Sequence, residues 1–178
     1  MMTTDRLELR EPGTADAELL RDYYRRNAER FAPWEPHRPD DLAFHARWIA
    51  DARARPDRAD RPAAFLAFRK EVADLVAVVT LDGFSSEDPP SAMLAYSVDG
   101  AYERQGYASE AVARVIRYAF EALGLSSLSA YYHPDNARSA KLLERLGFAI
   151  VGRTPVVPGL EALMRPQVMA TLLAARAR

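Results

Sequence analysis

The sequence has no cysteine. That excludes disulfides, zinc–thiolate sites and a cysteine nucleophile, and it suits a reducing, cytoplasmic setting. An excess of charge is also missing. Its 24 basic and 25 acidic residues leave a formal net charge of −1, so no global field favours nucleic acid or an anionic membrane. No apolar run approaches the roughly 18 residues that span a bilayer. Met1 to Arg10 is charged and lacks the apolar stretch of a signal peptide. The three histidines, His37, His45 and His133, do not stand at metal-ligand spacing, so no metal is expected. No internal repeat is visible.

What is present fits one globular domain over residues 1–178. Hydrophobic residues make up 49%, enough to build a core. Leu7 and Leu9 alternate with charges, as in a half-buried strand. Thr14 or Asp16 caps a helix carrying Leu19, Leu20, Tyr23, Tyr24 and Ala28. Three prolines make Phe31 to Pro39 a loop, and a second helix runs from Leu42 to Ala52. Arg53 to Pro62 reads as a mobile connection. Residues 63–68, 75–84 and 92–98 are short runs rich in β-branched and aromatic residues, which predicts three consecutive strands.

The strongest helical pattern follows. Ala108, Ala111, Val112, Val115, Ile116, Ala119, Phe120 and Leu123 form one apolar stripe, with Gly124 placed as a left-handed cap. A strand over 128–133, a helix from 134–136 to Leu146 with its stop at Gly147, and a strand from Phe148 complete the pattern. A last strand is expected within Leu160 to Ala174. The order β-α-α-β-β-β-α-β-α-β-β predicts a mixed sheet with helices packed on it, an α/β (mixed α+β) fold.

Two turns carry chemistry. Glu103-Arg104-Gln105-Gly106-Tyr107-Ala108 leads from a strand into the strong helix. Helix starts present unpaired N–H groups, and the small residues Gly106 and Ala108 let the backbone approach an anion such as a pyrophosphate. The same turn also reads as a tight bend that simply needs glycine. In His133-Pro-Asp-Asn136, the Asn136 amide suits an amide-bearing arm or a plain N-cap.

Taken together, YSVD at Tyr96 to Asp99, ERQGYASEAV at Glu103 to Val112, HPDNARS at His133 to Ser139 and ERLGF at Glu144 to Phe148 resemble the GCN5-related N-acetyltransferase (GNAT) superfamily. DYY at Asp22 to Tyr24 and PWEP at Pro33 to Pro36 resemble its Rim-type branch, the ribosomal-protein-alanine N-acetyltransferases. The resemblance covers about residues 5–173. It implies a splayed central sheet flanked by about four helices. The third and fourth strands of the family's core would run parallel to their neighbours and part in the middle, with acetyl-CoA in the opening. The backbone of Tyr96, Ser97 and Val98 would then bond the pantetheine arm. Arg104, Gln105, Gly106, Tyr107, Ala108 and Ser109 would cradle the pyrophosphate. Asn136 would contact the pantetheine, and Ser139 would lie near the sulfur.

Three departures stand out. Glu103 and Arg104 occupy places where the family usually has Gln or Arg and then Gly, so Glu103 is expected to point away and offer only backbone. Leu143 stands where many members carry a tyrosine acid, which leaves Ser139 to stabilise the leaving thiolate or to be a helix-surface serine. Pro166-Gln167 replaces a frequent Asp-His.

Without a cysteine, direct transfer to the amine is expected. Glu35, beside Trp34 in the proline-bounded loop, is the candidate base, or else a loop carboxylate paired with an arginine. Trp34 and His37 are candidates for the acceptor mouth. The acceptor is read as a protein N-terminal α-amine. The alternatives are a small amine (antibiotic, polyamine or amino acid) and a non-catalytic acyl-CoA-binding module. A homodimer would be an ordinary assembly.

Overall fold

The computed structural model describes residues 1–53, 63–85, 88–154 and 166–174. Most of the 53–62 connection, part of the loop after Ser85 and the first residues of the expected last strand lie outside them. The strands are β1 (Met2–Thr3), β2 (Leu7–Arg10), β3 (Ala63–Arg69), β4 (Leu75–Ser85), β5 (Ser91–Val98), β6 (Ser127–Tyr132), β7 (Ala149–Arg153) and β8 (Val168–Leu173). They form one sheet in the order β1-β2-β3-β4-β5-β6-β8-β7. The helices are α1 (Ala17–Arg26), α2 (Ala28–Phe31), α3 (Leu42–Arg53), α4 (Tyr107–Glu121) and α5 (Ala137–Arg145).

The expected mixed sheet is present, with two elements the pattern did not disclose. β1 pairs Met2 with Leu9 and Thr3 with Glu8, a ladder too short to leave an alternation. The first helix breaks after Arg26 because Asn27 diverts its side chain. Its Nδ2 donates to the Tyr23 carbonyl, and its Oδ1 accepts from Gly100 N–H, each at 2.9 Å. A further turn of helix, α2, follows the break. The expectation that two core strands run parallel to their neighbours is corrected. Among the described residues parallel pairing is confined to β5 and β6, while β4–β5 and β6–β8 are antiparallel. The reason is connection length: few residues join β4 to β5, whereas the whole of α4 carries the chain from β5 to β6.

Alternating side chains divide the core between the two sheet faces. Phe65, Ala67, Ala77, Val79 and Leu81 pack with the α4 stripe of Ala111, Val112, Val115, Ile116 and Ala119. Leu66, Leu75 and Val78 point the other way, onto Leu20, Tyr23 and Tyr24 of α1 and Ile49 of α3. Leu66 and Leu128 are fully buried, and truncating either to Ala would cost about 2–5 kcal/mol. The stop at Gly147 is a Schellman motif: Gly147 N–H bonds the Glu144 carbonyl and Phe148 N–H the Leu143 carbonyl, each at 3.0 Å, with Gly147 at φ +87°.

Candidate active site

The parallel pair is short. Ser91, Ala92 and Met93 stand opposite Ser127, Leu128 and Ser129, and there the pairing of β5 with β6 ends. β5 continues alongside β4 as far as Val98, and β6 alongside β8 as far as Tyr132. The carboxyl halves of the two strands therefore diverge. The resulting opening exposes one edge of β5 at Tyr96, Ser97 and Val98, a strand edge that an amide-bearing chain can extend.

The turn into α4 closes one end of this opening. Arg104 (φ +58°) and Gly106 (φ +84°) are both left-handed, with Gln105 between them. The first helical bond runs from Glu110 N–H to the Gly106 carbonyl at 3.1 Å. The N–H groups of Tyr107, Ala108 and Ser109 are therefore the unpaired start of α4, beside a concave run of backbone suited to an anion. Arg104 supplies the conformation for which the family uses glycine, and its side chain is exposed. The Glu103 carboxylate is claimed by two arginines: Arg30 of α2 and Arg138 of α5 both form ion pairs with it. That leaves its backbone to the turn. These features fit a pyrophosphate.

Across the opening, α5 starts at Asn136, whose Oδ1 accepts from Ser139 N–H at 3.1 Å. The amide oxygen thus caps the helix, and the NH₂ group is what Asn136 has to offer a ligand. The Ser139 hydroxyl meets the Tyr96 phenol at 2.7 Å. Burial pushes the Tyr96 pKa up to about 12 against the opposing effect of the Ser139 hydrogen bond, so the phenol keeps its proton.

The proline-bounded loop lies at the open end. The Trp34 ring sits 5.9 Å from the His133 ring at the end of β6. Glu35 is half-buried and lines a small cavity with Tyr24, Phe31, His37 and Arg38. Burial raises its pKa, and the charge of Arg38 pulls it back only in part. Arg38 itself stacks over the Tyr24 ring at 4.2 Å. His37 is exposed, whereas His45 is buried, stacked on Tyr24 and bonded through Nε2 to the Pro39 carbonyl at 3.2 Å.

The contacts that anchor this loop were not foreseen from sequence, although Tyr23, Ser97 and Asp99 stand in motifs that were. Tyr23 bonds the Ser97 hydroxyl at 3.0 Å, and Arg26 bonds Asp99 at 2.5 Å. With Asn27 they lock α1 to the end of β5, which fixes where α2 and Glu35 emerge. Each contact joins positions more than seventy residues apart, and nothing local signals them. Pro166-Gln167 is a junction: Gln167 N–H bonds Thr154 Oγ1 at 3.0 Å, and the Gln167 carbonyl accepts from Thr154 N–H at 2.9 Å. Among the described residues no group of three His, Asp or Glu side chains could hold a metal.

Comparison with known proteins gives the same answer as the geometry. Residues 6–149 match the family model of the acetyltransferase (GNAT) domain. The [ribosomal protein uS5]-alanine N-acetyltransferase of Escherichia coli (strain K12) is 30% identical over 149 residues, covering 83% of this chain and 77% of that protein. The crystal structure of ribosomal-protein-S5-alanine acetyltransferase from Vibrio fischeri superposes with a TM-score of 0.88 at 21% identity, over 99% of this chain and 98% of that one. Mycobacterium smegmatis RimJ in complex with CoA-disulfide superposes with a TM-score of 0.82 at 21% identity, over 95% and 82%. The chain therefore belongs to the GNAT acetyltransferase family, in its Rim-type branch, and is an acetyl-CoA-dependent acetyltransferase that acts on an amine.

Proposed function

We propose that the acceptor is the α-amine of a protein N-terminus, with a ribosomal protein that begins with alanine as the first candidate. The observation that carries this reading is the contact between Trp34 and His133. It sets the loop bearing Glu35 over the carboxyl end of β6, at the open end of the gap between β5 and β6. A deprotonated amine is required, because the protonated form has no lone pair. An α-amine has a pKa near 8, so a carboxylate raised by burial suffices to take its proton, directly or through water. A lysine amine, starting near 10.4, asks more of the base.

In this reading the bound cofactor supplies an activated acetyl thioester. The N–H groups of Tyr107, Ala108 and Ser109 hold the pyrophosphate, with Arg104 adding charge. The β5 edge at Tyr96, Ser97 and Val98 and the Asn136 amide hold the pantetheine arm. Glu35 would accept the amine proton, and the Ser139 hydroxyl, itself bonded to Tyr96, would donate a hydrogen bond that stabilises the leaving thiolate. Trp34 and His37 line the acceptor entrance. The 30% identity to the uS5-alanine enzyme supports the choice of acceptor, and the CoA named with the Mycobacterium smegmatis structure supports the cofactor site. We place the reaction in the cytoplasm, where donor and protein acceptor coexist.

The test is thiol release from acetyl-CoA with two acceptor panels. One contains peptides with free N-terminal Ala, Ser, Thr or Met, and the other polyamines, amino acids and aminoglycosides. Turnover on the peptides, led by Ala, is expected. Turnover confined to small amines would replace the proposal with a metabolic or detoxifying role.

A further inference from the structure

Arg6 ends the short link between β1 and β2 and lies about a hundred residues from the turn into α4, yet its side chain and backbone touch that turn at several points. Nη1 donates to the Gln105 carbonyl at 2.9 Å. Nε and Nη2 donate to Glu110 Oε2 at 2.7 and 2.6 Å, and the Arg6 backbone N–H donates to Glu110 Oε1 at 2.9 Å. The guanidinium lies 4.3 Å from the centroid of the Tyr107 ring. A Cβ on Gly106 would come within 3.3 Å of Nη2. Thr4 Oγ1 adds a 2.5 Å bond to Glu110 Oε1.

We propose that Arg6 is a positioning residue for the cofactor turn, holding residues 104–107 in their anion-binding shape from behind without touching the cofactor. The proposal rests on the pyrophosphate site described above.

In a trans peptide the C=O and N–H groups point in opposite directions. Fixing the Gln105 carbonyl from behind therefore aims the Gly106 N–H forward, to the side where an anion would sit. This peptide joins Gln105 to Gly106, in a turn with left-handed residues at 104 and 106, and such a turn has alternative backbone settings that it would sample unheld. Tyr107 is held by its ring, and Gly106 must stay bare for the guanidinium to approach.

Glu110 lies in the first turn of α4, where a free carboxylate would cancel much of the positive field that an anion feels. Two donors from the Arg6 guanidinium and one from its backbone neutralise that carboxylate where it stands. A plain tie between β2 and α4 would need neither the Gln105 bond nor the approach to Gly106.

The test compares binding of CoA with binding of S-acetyl-pantetheine, which lacks the pyrophosphate and nucleotide, by calorimetry and thermal melting. Arg6→Met should weaken CoA about tenfold or more, the loss of roughly one charged hydrogen bond plus turn order. S-acetyl-pantetheine affinity should change by less than about twofold. Arg6→Lys should restore only part of the CoA affinity, because an ammonium can neutralise Glu110 but cannot reach Gln105 at the same time. Glu110→Gln serves where Arg6→Met fails to fold: it should leave CoA affinity within about twofold of wild type, since Arg6 still holds Gln105. Equal loss for both ligands with Arg6→Met or Arg6→Lys, or no loss for either, overturns the proposal. Gly106→Asp separates the pyrophosphate site from the role of Arg6. If it spares CoA binding, the pyrophosphate site itself is misplaced; if it abolishes binding while Arg6→Met leaves CoA affinity unchanged, the site stands and the role of Arg6 falls.

Discussion

The Tyr96 phenol and the Ser139 hydroxyl meet at 2.7 Å, one from β5 and the other from the first turn of α5. They join the two walls of the opening beyond the point where β5 and β6 cease to pair. Leu143, at the place of the family's usual tyrosine acid, is buried in the core and carries no proton to give. The Tyr96–Ser139 pair puts a hydroxyl system on that side of the site.

Ser139→Ala is expected to lower kcat by roughly tenfold or more while changing acetyl-CoA affinity little. Tyr96→Phe should have a smaller effect, and the double variant should lose no more than Ser139→Ala alone, because Tyr96 acts through Ser139. Steady-state kinetics beside calorimetry checks this. Equal loss in kcat and affinity would make Ser139 a binding residue only.

Glu35→Gln is expected to lower kcat roughly ten- to a thousandfold at neutral pH. The acid limb of the wild-type kcat/KM profile should lie above the ordinary carboxylate range, since burial raises Glu35. The same substitution should leave the melting temperature unchanged or higher, because a carboxylate raised by burial destabilises the fold once ionised. An unaltered pH–rate profile would point to water or the substrate's own ionisation in place of Glu35.

Arg104→Gly should separate stability from binding. The left-handed backbone at φ +58° costs an L residue about 1 kcal/mol that glycine does not pay. Melting should therefore hold or rise while CoA affinity falls with the lost guanidinium. Unchanged CoA affinity would leave Arg104 with a backbone role alone.

Stability should fall on the acid side. The Arg10 hydrogen bonds hold Asp16 below its ordinary value against the cost of burial. Burial alone would raise Asp99 and Glu110. Hydrogen bonds from Ala101, Arg26 and Asn27 outweigh it at Asp99, as do those from Thr4 and Arg6 at Glu110, so both are lowered. Depressed carboxylates contribute stability that is present above about pH 4 and lost as pH falls through their folded values. Melting temperature should drop below about pH 4, and at higher pH it should show only the decline that ionisation of the raised Glu35 imposes. A flat line through the acid range would contradict the ion-pair assignments.

Features set by neighbours in sequence were legible. The α4 stripe, the glycine at its start and the Gly147 stop are local, so periodicity and turn chemistry disclose them. The site's coupling was not. Arg6 and Glu110 stand 104 positions apart, Tyr23 and Ser97 74, and Tyr96 and Ser139 43. No pattern along the chain records which polar side chains the sheet will bring together. Glu103 shows the limit well. Its sign alone predicted that it would turn from an anion, but only the fold reveals that Arg30 and Arg138 hold it there.

The central claim is transfer of acetyl to an α-amine. The most direct measurement is fragmentation mass spectrometry of a peptide bearing both an N-terminal alanine and an internal lysine, after incubation with the protein and acetyl-CoA. The account predicts one acetyl group, on the α-nitrogen, and none when Glu35 is replaced by Gln over the same interval. Acetylation of the lysine side chain, or an unmodified peptide alongside turnover of small amines, would contradict it.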